Sequence, residues 1–308
     1  MLEHPAVTEF PIPTESCAPA GITSGPDGAL WFAESSAGKI GRVTTVGEIT
    51  EFSIPTKNSR PTLLGEGPDR AIWFTEFDAN QIGRITMDGF VEEFSVPTPD
   101  AGPYSIVSGG DGNLWFAEAE GNKVGRITTT GVITEFPLPT RDSGPYVIAA
   151  GPEGSLWFVE SDANQIGRIT TEGAVSEFPI PTAKSAPIGI AEGSDGNVWF
   201  TEFAAGRIGR ITGSGEVTEF PLPAADCGPR GITAGADGSL WFVEFGADRI
   251  GRITTDGRIS EFPIPTGRAG PIRIALGSDG HLWFTEFGSE GNRIGRIAPV
   301  RVRLTSFR

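Results

Sequence analysis

Hydrophobic and polar residues follow the same order seven times along this chain, with Trp31 and Trp73 marking a period of 42 residues. Each unit holds short apolar runs separated by turns rich in glycine, proline and aspartate. Each tryptophan is followed by phenylalanine and, three places on, by glutamate; the tryptophans are Trp31, Trp73, Trp115, Trp157, Trp199, Trp241 and Trp283. A fixed period of this length is typical of a repeat protein.

Four short runs in each unit are predicted to be β-strands. In the first unit they are residues 21–23, 29–34, 39–44 and 49–54. The Asp27-Gly28 turn between the first two runs is typical of a tight hairpin with positive φ at both residues. The 43 glycines and 25 prolines are placed at the turns and exclude long helices. Residues 1–308 therefore predict one all-β domain, a seven-bladed β-propeller with four-stranded antiparallel blades.

The two ends of the chain are predicted to close the ring. The Glu-Phe pair that marks the fourth strand first occurs at residues 9–10, before the first inner strand, and the last unit lacks it. Residues 7–13 can therefore supply the outer strand of the seventh blade, which removes an open sheet edge. The remaining tail, residues 300–308, is expected to add at the edge or to fray.

Composition narrows the classes of function. The formal charge is −15, from 39 acidic and 24 basic residues, which disfavours nucleic acid and anionic membranes as partners. No secretory signal and no membrane-spanning apolar run is found, so we expect a cytoplasmic protein. Cys17 and Cys227 occupy equivalent places in units that would not be neighbours in a closed ring, which predicts two free thiols.

Two charged positions recur in every unit and are interpreted as scaffold. Glutamates from Glu34 to Glu286 end the second strand, and arginines from Arg42 to Arg296 lie in the Ile-Gly-Arg motif of the third. One of each per unit suggests repeated ion pairs within or between blades. A ring of carboxylates that binds a divalent cation is the alternative, because such cations prefer oxygen ligands.

Variation within the repeat indicates where a site could lie. The loops before the first strand and after the second gather on one face of a propeller, around the central channel, and loops on a rigid scaffold often carry binding residues. The residue after the proline that precedes each first strand is, in order, Ala20, Thr62, Tyr104, Tyr146, Ile188, Arg230 and Ile272. The residue after each second strand is Ser35, Phe77, Ala119, Ser161, Phe203, Phe245 and Phe287.

The two tyrosines, the arginine and the four phenylalanines at these positions predict a lined cavity for a semi-polar organic ligand. Four exposed phenylalanines on one face would form an apolar patch that needs an explanation. Alternatively, the rings plug the channel or cap contacts between blades.

Residues suited to acid–base chemistry are few. Of the two histidines, His4 lies near the N-terminus, and His281 lies at a turn on the face away from the predicted site. Neither a Ser-His-Asp triad nor a zinc site can be assembled from them. The glutamates that end the second strands, Glu286 among them, are the remaining candidates for a general base.

Three repeated segments resemble the streptogramin B lyases, also called virginiamycin B lyases. They are Gly-Ser-Asp-Gly-Asn-Val-Trp-Phe-Thr-Glu-Phe at 193–203, Ile-Gly-Arg-Ile-Thr at 208–212 and Val-Thr-Glu-Phe-Pro-Leu-Pro at 217–223. The resemblance covers nearly the whole chain. It implies a seven-bladed propeller and a monomeric, cytoplasmic enzyme. That enzyme opens a cyclic depsipeptide antibiotic at its ester bond by elimination, with a divalent metal, usually Mg²⁺.

The positions of the family's site differ in this chain. The resemblance places catalytic histidines where this chain has Arg230 and Ile272, and a further glutamate where it has Gly270. A tyrosine-type contact is replaced by Ala20, whereas the metal-binding glutamate is retained at Glu286. Loss of a general base typically costs about a hundredfold to ten-thousandfold in rate. The resemblance therefore implies a related propeller without the family chemistry.

Three functions remain open. The first is binding of a small organic or cyclic peptide ligand at the channel mouth by a monomer. The second is an active metal-dependent carbon–oxygen lyase that uses Glu286 or Arg230. The third is a non-enzymatic or engineered repeat scaffold.

Overall fold

The computed structural model describes residues 6–224 and 226–298 of the chain. His4 and the tail of residues 300–308, for which the sequence made predictions, lie outside the described residues. Within them, 28 β-strands form seven four-stranded antiparallel sheets. A single turn of 3₁₀-helix spans Pro152–Gly154, and no helix in the described ranges is long and apolar enough to cross a membrane.

Every sheet repeats the same order of strands from the central channel outward. The innermost strands are β2 (Pro19–Ser24), β6 (Pro61–Glu66), β10 (Pro103–Ser108), β14 (Pro145–Ala150), β18 (Pro187–Glu192), β22 (Pro229–Ala234) and β26 (Pro271–Leu276). The second strands are β3 (Leu30–Glu34), β7 (Ile72–Glu76), β11 (Leu114–Glu118), β15 (Leu156–Glu160), β19 (Val198–Glu202), β23 (Leu240–Glu244) and β27 (Leu282–Glu286).

The third and fourth strands complete each blade. The third strands are β4 (Lys39–Val43), β8 (Gln81–Ile85), β12 (Lys123–Ile127), β16 (Gln165–Ile169), β20 (Arg207–Ile211), β24 (Arg249–Ile253) and β28 (Arg293–Ile297). The outer strands are β1 (Val7–Pro11), β5 (Ile49–Ser53), β9 (Val91–Ser95), β13 (Ile133–Pro137), β17 (Val175–Pro179), β21 (Val217–Pro221) and β25 (Ile259–Pro263).

The ring closes as the sequence predicted. Strand β1 pairs antiparallel with β28, from Val7 opposite Ile297 to Pro11 opposite Arg293. Each innermost strand contacts the innermost strand of the next blade, and β26 contacts β2 in the same way. The seven-bladed propeller with an N-terminal outer strand is therefore confirmed. Closure leaves one central channel, toward which the seven innermost strands face.

The blade core is built on the repeated tryptophan. Trp31 is fully buried and stacks on Phe52 with ring centroids 5.5 Å apart. Asp27 accepts hydrogen bonds from Trp31 Nε1 at 3.2 Å and Arg42 Nε at 2.6 Å. The predicted ion pairs, within or between blades, of these arginines with the strand-end glutamates are therefore wrong for Arg42, which pairs with Asp27. Arg42 lies opposite Trp31, whereas Glu34 lies three residues farther along and so points to the other face of the sheet.

The turn between the first two strands also differs from the prediction. Gly28 has φ of 80°, but Asp27 is not in the left-handed region. Gly28 N–H donates to Gly25 O at 3.1 Å and Gly25 N–H to Ala29 O at 2.8 Å. These bonds define a three-residue loop with one left-handed residue, whereas the predicted two-residue type I′ loop would need two. The Asp27 side chain caps this turn by accepting from Ala29 N–H at 3.2 Å.

Candidate functional site

A β-bulge in every blade aims the variable residue that follows the proline. In the sixth blade Pro229 lies opposite Glu244, but the next pair is Ile232 opposite Phe242, so β22 carries one extra residue there. A bulge bends the strand and redirects the side chain at the irregularity. The redirected residue in this blade is Arg230, which lines a cavity at one end of the channel.

The cavity at this end, the channel mouth, has a volume of about 480 Å³. Four of the predicted ligand-binding residues line it, namely Tyr104, Arg230, Phe245 and Phe287. The other three pack directly behind them. Tyr146 and Phe77 make edge contacts with Tyr104 at centroid distances of 5.1 Å and 6.2 Å. Phe203 lies 5.0 Å from the Arg230 guanidinium carbon.

The exposure of the four phenylalanines differs from the prediction. Phe287 is 42% exposed, whereas Phe77, Phe203 and Phe245 are only partly accessible. Phe245 is covered by Arg230, whose guanidinium carbon lies 4.5 Å from the ring centroid. Phe77 is covered in the same way by Arg60 at 4.7 Å. The mouth is therefore a mixed surface of rings and guanidinium groups. The sequence predicted Arg230 at this mouth, but not that Arg230 and Arg60 cover two of the rings.

Arg273 is the main residue of the mouth that the sequence interpretation missed. It is only 7% exposed and lies in β26, directly after Ile272. The equivalent residues of the other blades are Gly21, Leu63, Ser105, Val147, Gly189 and Gly231. Arg273 is the one charged residue among these seven equivalent positions. The sequence therefore carried a signal for it, at the second residue after the proline.

The channel continues below the mouth into a second cavity of about 450 Å³. Leu63 and Arg273 line both cavities, so they lie at the level where the two meet. Gly231 leaves room for Arg273, because a Cβ atom at Gly231 would lie 2.8 Å from Arg273 Cα. The Arg273 side chain thus lies inside the channel and away from the outer surface.

Glu286, the predicted base and metal ligand, ends β27 and has no solvent exposure. Burial, followed by the negative charge of Glu9, raises its pKa to about 8. It is not among the residues that line the mouth, where Asp78 supplies the one carboxylate of the described lining. Its catalytic and metal-binding roles remain predictions.

Magnesium, which the family resemblance implies, needs several oxygen ligands at near-octahedral positions. No group of three or more histidine, cysteine, aspartate or glutamate side chains suited to a metal occurs in the described parts of the chain. Two arginines, Arg230 and Arg273, lie where a cation would have to bind. The residues present therefore do not fit a magnesium site at the mouth.

The predicted free thiols are confirmed, since Cys17 and Cys227 are both buried and unpaired. Burial, and next the charge of Glu244, raises the pKa of Cys227 to about 12. His281 lies at the turn between β26 and β27, at the opposite end of these strands from Ile272 and Phe287. Neither the thiols nor His281 takes part in the mouth.

The fold and the site together define a seven-bladed propeller with a ligand-sized cavity at one end of its channel. The model of the virginiamycin B lyase family matches residues 3–143 and 133–307. The chain belongs to this family.

Solved structures agree with this assignment. A streptogramin B lyase is 40% identical, with a TM-score of 0.91 over 96% of this chain and 98% of that one. Virginiamycin B lyase from Staphylococcus aureus is 41% identical, with a TM-score of 0.91 over 96% of this chain and all of that one. A catalytically inactive variant of the same enzyme, with quinupristin, matches equally well.

Proposed function

We propose that this member of the family binds a small organic or peptide ligand at the channel mouth and does not use the family's histidine chemistry. The observation that carries the proposal is the concentration of repeat-breaking residues around one cavity. Tyr104, Arg230, Phe245 and Phe287 line about 480 Å³, which lies within the usual size of a ligand site. Such a set of rings with a few polar groups suits a semi-polar ligand.

The residues at the mouth argue against acid–base catalysis there. Arg230 cannot act as a base, because a guanidinium stays protonated in proteins. Ile272 has no titratable group, and His281 lies at the other end of the strands. One catalytically inactive relative is a histidine-to-alanine variant. By analogy, a mouth whose described lining contains no histidine is expected to bind without turnover.

The second candidate is an active lyase with a rearranged site. It is favoured by 40% identity to a streptogramin B lyase over nearly the entire chain and by a mouth of suitable size. In this case Glu286 is the candidate base, since its pKa of about 8 suits proton transfer near neutral pH. Its burial requires the end of β27 to open before a substrate can reach it.

Incubation with a streptogramin B antibiotic and Mg²⁺ separates the two candidates. Liquid chromatography coupled to mass spectrometry is needed, because elimination leaves the mass of the antibiotic unchanged while hydrolysis adds water. We expect no ring-opened product beyond the level of a protein-free blank. Turnover that is lost in Glu286→Gln would overturn the proposal and establish the lyase.

Ligand binding is measured in the same samples by calorimetry. We expect Phe245→Ala to weaken binding about tenfold, because a buried aromatic contact of this size is worth roughly 1–2 kcal/mol. Phe90→Ala is the matched control, since Phe90 is 61% exposed and lies in a turn outside the mouth. Equal affinities for the wild type and Phe245→Ala would show that the mouth is not the binding site.

A further inference from the structure

Two guanidinium groups share the channel without a counter-charge. Arg273 is 7% exposed, and the Nε atoms of both Arg230 and Arg273 are buried without a hydrogen-bond partner. No carboxylate of the described residues forms an ion pair with either side chain. An unpaired buried charge is costly in a folded protein. This arrangement therefore differs from an ordinary buried arginine, which is paired.

The carboxylates near the mouth are engaged elsewhere. Asp78 pairs with Arg60 at 3.4 Å, and about half of each side chain is exposed. Burial is the main cause that raises the pKa of Tyr146, and the charges of Asp162 and Glu120 raise it further. Neither of these two carboxylates shifts the pKa of Arg230. Burial lowers the pKa of Arg230, and Tyr104 acts in the opposite direction.

Aromatic contacts to Arg230 leave its donors available. Its guanidinium carbon lies 5.0 Å from the Phe203 ring and 4.5 Å from the Phe245 ring. Neither ring takes a conventional hydrogen bond from the N–H groups, which lie in the plane of the guanidinium and remain available to other acceptors. An acceptor with two oxygens in that plane can receive two parallel hydrogen bonds, as carboxylates and phosphates do.

Threonines on the second strands hold both arginines in place. Thr201 Oγ1 donates to the Arg230 carbonyl at 2.7 Å, and Thr285 Oγ1 accepts from Arg273 N–H at 3.2 Å. A third, Thr75, donates to the Tyr104 carbonyl at 2.9 Å. The other four blades have alanine or valine at this position: Ala33, Ala117, Val159 and Val243. The backbone of each of these three polar channel residues is thus fixed by a hydrogen bond to a threonine hydroxyl.

We propose that Arg230 and Arg273 bind the carboxylate or phosphate group of an organic ligand, whose apolar part lies against Phe245 and Phe287. This inference rests on the proposed function and names the chemical class of its ligand. Tyr104 lines the same cavity and makes a side-chain hydrogen bond with Arg273. The channel then offers a local positive site in a protein with a net charge of −15.

Calorimetric titration with three probes of one size tests the inference: benzoate, phenyl phosphate and the neutral benzamide. We expect at least one anion to bind about tenfold or more tightly than benzamide, since hydrogen bonds to charged groups contribute roughly 1.5–3 kcal/mol. This preference should weaken as salt is added. Benzoate and phenyl phosphate distinguish the two possible oxyanion groups.

Substitutions of the two arginines test whether they cause the preference for anions. Arg230→Gln and Arg273→Gln should each reduce anion affinity about tenfold, and should reduce benzamide affinity much less. Arg230→Lys keeps the charge but loses the planar donors, so it should recover only part of the affinity. Arg258→Gln is the matched control, because it removes the same charge from an 84% exposed side chain in an outer turn.

Each result decides between the inference and the proposed function. Equal binding of all three probes, weakened by Phe245→Ala, would overturn the inference and keep the proposed function. Unchanged affinity for the preferred anion in folded Arg230→Gln would also overturn it, as would failure of all three probes to bind. The antibiotic titration tests the proposed function separately.

Discussion

The guanidinium of Arg273 is the least expected group in the channel. Burial is the largest cause that lowers its pKa, while Tyr104 raises it and Arg230 lowers it further. The side chain is almost completely withdrawn from water. A charge in this position reduces stability unless a ligand supplies the opposite charge.

Replacement of Arg273 by methionine should therefore stabilise the ligand-free protein. Methionine has a similar length and fills irregular spaces, and replacing buried charge by an apolar group often adds about 1–4 kcal/mol. Urea unfolding in chloride buffer without carboxylate or phosphate measures the change. Adding benzoate should raise the stability of the wild type but not that of Arg273→Met.

The control for this prediction is Arg258→Met, which changes an exposed position and should have little effect. A loss of stability in Arg273→Met of more than about 1 kcal/mol would contradict the argument. Such a loss would mean that the contacts of Arg273 within the protein already balance its charge.

The sequence predicted part of this site for a clear physical reason. Tyr104, Arg230 and the phenylalanines interrupt an otherwise regular repeat, so their shared location followed from the period alone. Arg273 lies one residue beyond the position that was compared, and the bulge that directs Arg230 into the mouth leaves no mark in the residue pattern. Likewise, the cover that arginines give to Phe77 and Phe245 depends on side-chain packing that a period cannot show.

At the scale of the strand, each second strand combines a buried aromatic pair with a buried acid. Glu118 is fully buried at the end of β11, and both of its carboxylate oxygens lack a hydrogen-bond partner. Burial, and next the charge of Glu135, raises its pKa to about 8, although Lys123 acts in the opposite direction. The folded state therefore holds this side chain protonated at neutral pH.

The stability conferred by Glu118 should decrease as pH rises. Its folded pKa of about 8 lies above its ordinary value of 4.5, so its contribution is complete below pH 4.5 and is lost as pH rises through 8. Glu118→Gln should remove the contribution of this one side chain to the pH dependence of stability. We expect the variant to match the wild type at pH 5 and to exceed it by about 1–3 kcal/mol at pH 9.

Thermal unfolding at several pH values measures this difference. Glu120→Gln is the control, because Glu120 is exposed two residues farther along the same blade. An equal effect of Glu118→Gln at pH 5 and pH 9 would contradict the assigned protonation state. The other six blades carry the same buried acid, so the wild type itself should lose stability over this range.

At the scale of the whole molecule, the sequence determined the fold more completely than the site. Closure could be predicted because the seventh unit lacks its fourth strand, while a spare Glu-Phe pair at residues 9–10 precedes the first unit. The prediction failed at charge pairing, where Arg42 binds Asp27 instead of a glutamate. Partners of this kind depend on which face of a strand each side chain occupies.

Closure of the ring depends on β1, which comes from the other end of the chain and is held in the seventh blade only by non-covalent contacts. Phe10 of β1 stacks on Trp283 with centroids 5.5 Å apart, and Arg296 lies 5.5 Å from its ring. Phe220 makes the equivalent contacts inside a continuous blade, with Trp199 at 5.4 Å and Arg210 at 5.7 Å. The local contacts of the two phenylalanines are thus nearly the same.

If β1 is held as firmly as a strand inside the chain, Phe10→Ala and Phe220→Ala should destabilise the protein equally. The expected loss is about 3 kcal/mol in each case, the usual cost of truncating a packed phenylalanine. Urea unfolding followed by tryptophan fluorescence gives both values. A much smaller loss in Phe10→Ala would mean that β1 leaves the seventh blade readily, because a detached strand contributes no packing to lose. In that event β28 would be an unpaired sheet edge, and the variant should associate at concentrations where Phe220→Ala remains a single species.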